Sequence, residues 1–150
     1  MDIDAAIDTL NKLIETCKDG EYGFRMSADH VKSAQLRTIL FECSESCRQG
    51  ATELQAEVVW LGAKPEHHSS MAGTLHRGWV NLKATLTGND DKAILEECER
   101  AEDAALARYR EAIKKALPSD VAAIVERQYE GAKRNHDKVR SLRDLLRSTA

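Results

Sequence analysis

Apolar residues recur along this chain at alternating steps of four and three, the spacing of one buried face on a helix. Ile3, Ile7, Leu10, Ile14, Cys17, Phe24 and Ala28 form the first stripe and predict helix A over about 2–28. A turn near Asp29 to Ser33 leads to helix B, about 33–61, striped by Leu36, Leu40, Cys43, Cys47, Gly50, Leu54, Val58 and Leu61. Gly62 follows as the residue just past a helix end. Trp60 flanks that stripe and is expected to anchor packing, while Gly50 in mid-helix implies close approach of another backbone.

After a loop at AKPEHHSS, a shorter apolar face at Leu75, Trp79, Leu82 and Leu86 predicts a helix over about 71–86. His67 and His68 are expected in solvent, as are His76 and Arg77. Thr87, Gly88 and Asn89 are expected to interrupt the pattern, and Asn89, Asp90 or Asp91 to cap the next helix. Helix C, about 91–117, is striped by Ile94 or Leu95, Cys98, Glu102, Ala105, Tyr109, Ala112 or Ile113, and Ala116, with Glu99 and Asp103 beside the stripe. Pro118 stops it, and Ser119 is the expected cap of helix D, about 119–147. That last helix is striped by Val121, Val125, Gln128 or Tyr129, Ala132, His136, Val139, Leu142 and Leu146.

Loop lengths turn this order of helices into an architecture. A–B and C–D are joined tightly, so each pair is an antiparallel hairpin. B and C are separated by a long connection with its own short helix. One long crossover in a four-helix bundle predicts an all-α, ferritin-like topology, with residues 1–150 as a single domain.

Composition narrows the class of function. The 150 residues are 42% hydrophobic and 31% charged, with two prolines and eight glycines, which suits long helices around one core. A formal charge of −3 offers no basic field for nucleic acid or anionic lipid. No apolar run reaches the roughly 20 residues that span a bilayer. The N-terminal MDIDAAIDTL is acidic rather than basic and does not read as a signal peptide. A cytoplasmic protein with no membrane or nucleic-acid partner is expected. Its four cysteines, Cys17, Cys43, Cys47 and Cys98, contain no CxxC pair and are expected to be reduced and buried.

Three polar residues fall on the apolar stripes: Glu21, Glu102 and His136. A carboxylate on a core stripe costs several kcal/mol unless it is paired, protonated or bound to a metal. Both glutamates follow a cysteine by four residues, at Cys17 and Cys98. Glu21 also has a simpler reading, in which helix A loosens at Gly20 and Gly23 and the carboxylate reaches solvent or an arginine.

LNKLIETCKDGEYGF (Leu10–Phe24), LHRGWVNLKATLTGNDDKAILEECERAEDAAL (Leu75–Leu106) and VERQYEGAKRNHDKVRSL (Val125–Leu142) resemble an uncharacterised bacterial family, a four-helix-bundle domain of unknown function in the ferritin-like superfamily. The resemblance implies the ferritin-like fold and carries no settled activity; an association with stress is suspected for relatives. The wider superfamily includes di-iron carboxylate proteins, with one Glu on each of two helices and Glu-x-x-His on the other two. Glu21 and Glu102 occupy plausible single-Glu positions and His136 the helix-D histidine position. The departures are Lys133 three residues before His136, where a carboxylate belongs, and a helix B without histidine.

Three functions follow. The first is a non-enzymatic helical bundle, a homo-oligomer with a structural or interaction role tied to stress and no cofactor; in it Glu21, Glu102 and His136 form a polar cluster with Lys133 as counter-charge. The second is a degenerate metal protein that binds iron through Glu21, Glu102 and His136, with oxidation or peroxide chemistry. The third is a thiol redox sensor using Cys43 and Cys47, whose place on a buried face opposes thiolate access.

Overall fold

The computed structural model describes residues 2–65, 79, 81–88 and 90–149. Among them are five helices: α1 Ile3–His30, α2 Ala34–Trp60, α3 Leu82–Gly88, α4 Asp91–Ile113 and α5 Ser119–Thr149. Their order and packing make an all-α, ferritin-like bundle of two antiparallel hairpins, α1–α2 and α4–α5, with α3 before the second.

Local chemistry sets the ends. Asp2 caps α1, its carboxylate accepting from Ala5 N at 2.7 Å, and Ser33 caps α2 by accepting from Leu36 N at 3.3 Å. Asp90 caps α4 through Lys92 N at 3.0 Å. Gly62 takes a φ of +90° just beyond α2, as a residue without Cβ can.

Several expected boundaries move. Ser119 is the first turn of α5 rather than a cap outside it. Helix α4 stops at Ile113, short of Leu117: Pro118 disfavours helical backbone before it, and Lys115 N already turns to Ala112 O at 3.1 Å. α3 runs on through Thr87 and Gly88, where an interruption is expected; the Thr87 hydroxyl donates to Ala84 O at 2.8 Å and holds that last turn. Most of the expected 71–86 helix lies outside the described residues, with His67, His68, His76, Arg77 and Asn89.

The core divides into two apolar ends. At one end Leu10, Leu13 and Ile14 of α1 meet Ala51, Leu54 and Val58 of α2, Tyr109 and Ala112 of α4, and Val121 and Val125 of α5. At the other, Phe24 and Ala28 meet Leu36, Leu40 and Cys43, Ile94, Leu95 and Cys98, and Val139. Trp79, Leu82 and Leu86 join the second end. The chain therefore leaves α2 at one end and re-enters the described structure, at Trp79, at the other, which is the long crossover.

Close contacts explain Gly20 and Gly23. A Cβ on Gly23 would overlap the Trp79 ring, and one on Gly20 would stand 2.7 Å from Cys47 Sγ. Gly50 faces side chains rather than a backbone, Cys17 Sγ at 3.4 Å and Gln128 Oε1 at 3.6 Å from its ideal Cβ. Trp60 is not an anchor: it is 82% exposed, because the buried face of α2 runs through Leu54 and Val58 and turns away from it.

Candidate functional site

The polar residues of the stripes lie at the waist between the two apolar ends. Glu102 is buried, as its stripe position predicts, and its Oε1 has no hydrogen-bond partner. Burial, and then the negative charges of Asp103, Glu99 and Asp137, push its carboxyl well above the usual carboxylate range. Glu21 sits at the edge of the buried face. Its carboxylate pairs with Lys18 at 3.6 Å, and its carbonyl accepts from the Ser44 hydroxyl at 2.8 Å. Around it the buried face of α1 takes in Thr16, Gly20, Gly23 and Ser27 beside the expected Cys17, Phe24 and Ala28, because an α-helix drifts about 20° per heptad from a strict seven-residue count.

His136 is buried on α5, and α4 brings two carboxylates to it. Glu99, Asp103 and His136 each offer a ligand atom, and these atoms lie within 4.8 Å of one another. His136 Nε2 is 2.7 Å from Asp103 Oδ1, an ion-pair distance, but the two are not aligned as a hydrogen bond. Its Nδ1 lies 3.7 Å from Asp137 Oδ1. Arg143, one α5 turn and three residues on, donates from its guanidinium to Glu99 Oε2. Glu99 and Asp103 share a face because they are four residues apart on one helix. The cluster thus contains His136 but neither Glu21 nor Glu102. Lys133 does not enter it: its ammonium pairs with Glu130 at 3.0 Å and lies 4.8 Å from the Tyr129 ring centroid.

One imidazole nitrogen and two carboxylates are a donor set for a divalent transition metal. Ligand bonds of about 2.1 Å allow donor atoms no more than about 4.2 Å apart. The donor atoms lie within 4.8 Å, so a bound metal would need at most a small inward shift of the carboxylates. The Arg143 contact would then orient Glu99 from behind, as partners of metal ligands do.

A second set of contacts crosses the waist. Tyr109 donates to Gln128 Oε1 at 2.9 Å and touches Cys17 Sγ at 3.2 Å. Gln128 Nε2 donates to Glu53 Oε1 at 2.7 Å and Gly50 O at 3.2 Å, and Arg127 donates to the other Glu53 oxygen. These contacts border a cavity of about 620 Å³, which Glu102 also lines. All four cysteines are free thiols. Burial pushes Cys17 up to about 11 and Cys43 up to about 12, and it drives Cys47 and Cys98 well above the usual thiol value. Thiolate chemistry at neutral pH is suppressed accordingly.

Sequence reasoning placed Glu99 and Asp103 beside the helix C stripe but did not join them to His136. It missed Glu97 altogether. That carboxylate is fully buried; it accepts from Asn81 N at 2.9 Å ahead of α3 and from Arg100 Nη2 at 2.6 Å. Asp91, one of the expected caps of helix C, instead accepts from Lys32 N at 2.8 Å and Ser33 N at 3.1 Å and ties the α1–α2 turn to α4, and Asp90 is the cap.

No helix among the described residues is long and apolar enough to cross a membrane. No curated protein matches the chain. Solved structures resemble it over nearly their whole length. A dodecameric thioferritin, the bacterioferritin-related protein of Bacteroides fragilis, is 17% identical with a TM-score of 0.81, and the match covers 99% of this chain and 90% of that one. A mutant of Mycobacterium smegmatis Dps1 is 13% identical with a TM-score of 0.77, covering 93% of this chain and 95% of that one. At such identities the likeness is one of fold. Residues 5–115 match the family model described as a domain of unknown function, DUF2383, and the chain belongs to that family.

Proposed function

We propose that this protein is a metal-holding ferritin-like bundle, binding one divalent metal of the iron class per chain through Glu99, Asp103 and His136. The observation that carries this reading is the convergence of one imidazole and two carboxylates, from two helices, within 4.8 Å. Hard carboxylate oxygens with a borderline imidazole suit iron or manganese better than a soft metal. His136 keeps the role expected for it, while Glu99 and Asp103 take the places expected of Glu21 and Glu102. The role is binding rather than catalysis, and a tie to stress physiology remains part of the proposal.

Homo-oligomeric assembly belongs to the same reading. A dodecameric protein shares the fold, and Ile3, Tyr22, Phe41 and Trp60 expose large apolar side chains on the α1–α2 hairpin. Light scattering is expected to give a multiple of 16.7 kDa, up to twelvefold. A monomer mass would remove this part of the proposal.

The test of the metal is elemental analysis and anaerobic ferrous titration of the purified chain. One metal per chain is expected, lost in Asp103→Ala and His136→Ala and kept in Glu21→Ala. Arg143→Ala should weaken binding by about 10- to 100-fold, the usual range for a residue behind a metal ligand.

A second reading has its own support, the Arg143 contact with Glu99. In it the same residues are two ion pairs, His136–Asp103 and Arg143–Glu99, that clip α5 to α4 in a purely structural bundle. Absence of metal, with Asp103→Ala lowering stability and nothing else, would select it. The thiol-sensor reading is opposed by the raised thiols.

A further inference from the structure

We propose that the cleft between α2 and α5, which leads into the waist cavity, binds a small organic anion, a carboxylate carried on an apolar body, with Arg134 holding the carboxylate at the mouth. Of the four sides of the bundle, this one is the least closed among the described residues. Part of it is bridged, where Gln128 and Arg127 reach Gly50 and Glu53. Beside that bridge the facing residues are small: Cys47 and Gly50 on α2, Gly131 and Ala132 on α5, and Ala105 on α4. The space they leave, about 620 Å³, falls within the range of about 300–1,000 Å³ usual for small-molecule sites. All five are half-buried. An apolar body laid against them therefore covers surface that the fold leaves wet, and this favours binding.

The head group follows from the polar part of the same lining. Glu53 is held by Arg127 and Gln128, and Glu102 is only 6% exposed, so neither carboxylate offers itself to a cation. Arg134 is different. It lines the cavity, is exposed, and has no hydrogen bond or ion pair among the described residues. Its Nη2 lies 3.6 Å from the point where a Cβ on Gly131 would stand, so the guanidinium folds back over the wall of the cleft. A guanidinium presents parallel N–H groups that match the two oxygens of a carboxylate. One guanidinium also matches a single negative charge, whereas a phosphate would bring a second. Gln49 of α2 and Asn135 of α5 line the same space and carry amide N–H donors. The ligand that fits is thus an acceptor-bearing anion with an apolar tail.

The test uses the full chain and three probes with one tail: octanoate, octanol and octylammonium. A carboxylate also ligates metals, so the chain is first freed of metal by chelation. Equilibrium dialysis reads binding. Octanoate is expected to bind about three- to tenfold more tightly than octanol, the worth of a charge-assisted contact at a half-open mouth, and octylammonium no more tightly than octanol. Arg134→Gln should remove the preference for octanoate and leave octanol unchanged. Arg110→Gln, exposed on α4 and outside the cavity lining, should leave both unchanged. Gly131→Leu fills the cleft and should weaken octanoate and octanol alike, by about tenfold. Both cleft variants are expected to fold, since Arg134 is exposed and leucine favours a helix over glycine. No binding of octanoate at millimolar concentration would overturn the proposal, as would equal binding of octanoate and octylammonium by the unaltered chain. So would a preference that survives Arg134→Gln, one that falls as far in Arg110→Gln, or binding that Gly131→Leu leaves intact.

Discussion

The two ends of the bundle and its waist are built by opposite rules. At the ends, residues such as Leu10, Ile14, Leu54 and Val58, or Leu40, Ile94 and Leu95, are shut off from solvent and pack in apolar clusters. At the waist the buried faces carry Cys17, Gly20, Cys47, Gly50, Glu102 and Gln128, and they border a cavity open to solvent instead of filling the space. The ends supply stability through close packing. The waist holds open a volume of mixed polar and apolar lining at the expense of that stability. Unused hydrogen-bonding capacity, such as Glu102 Oε1, is found in the second kind of region, where function is expected.

Mutations test this division. The largest loss is expected in the ends: Leu54→Ala removes a fully buried side chain and should cost about 3 kcal/mol in urea unfolding. Gly23→Ala, where the waist meets one end, drives a methyl group into the Trp79 ring and should cost about 2 kcal/mol, with Trp79 emission shifting to the red. Tyr109→Phe takes a hydroxyl from Cys17 and Gln128 and should cost about 1 kcal/mol; a loss as large as that of Leu54→Ala would erase the distinction between waist and end.

Glu102→Leu should have the opposite sign, a gain of about 1 kcal/mol from removing an unmet buried acceptor. Its pH dependence follows from the raised carboxyl. A folded state that holds the proton more tightly than the unfolded chain is favoured at low pH and loses that advantage as pH rises above the ordinary value of 4.5. The gain in the metal-free variant should therefore be smallest below 4.5 and grow as pH rises. A gain independent of pH would break the account of Glu102.

The thiols sharpen the same contrast. With Cys17 near 11 and Cys43 near 12, reaction of the native protein with a disulfide reagent should be slow at neutral pH. The rate should rise about tenfold per pH unit as the thiolate fraction rises. Rapid reaction at neutral pH before unfolding would restore the sensor reading.

What was legible in the sequence was whatever depends on helical period alone. The stripes through Leu40 and Cys43, Ile94 and Cys98, and Val125 and His136 are buried as their spacing implies, and loop lengths gave the crossover topology. Reading Glu21 as a stripe residue failed where a strict heptad departs from a real helix, which turns the buried face toward Gly20 and Gly23. Trp60 failed because size alone suggested packing, although its position lies off the face of Leu54 and Val58. The meeting of Glu99 and Asp103 with His136 depends on how α4 and α5 slide past one another, and no spacing within either helix records that. Glu97 was hidden for the same reason: its principal long-range partner, the Asn81 backbone, belongs to another element.

The contacts of Asp91 and Trp79 also bear on how the chain reaches its native state. Each hairpin is made of contacts close in sequence and can form early, since short-range closure is fast. The carboxylate of Asp91 on Lys32 N and Ser33 N, and the indole of Trp79 against Gly23, connect segments more than fifty residues apart. They complete only when the two halves dock. Refolding followed by helix content should therefore run ahead of refolding followed by Trp79 emission, and the interval between the two signals is the time taken for one half of the bundle to find the other.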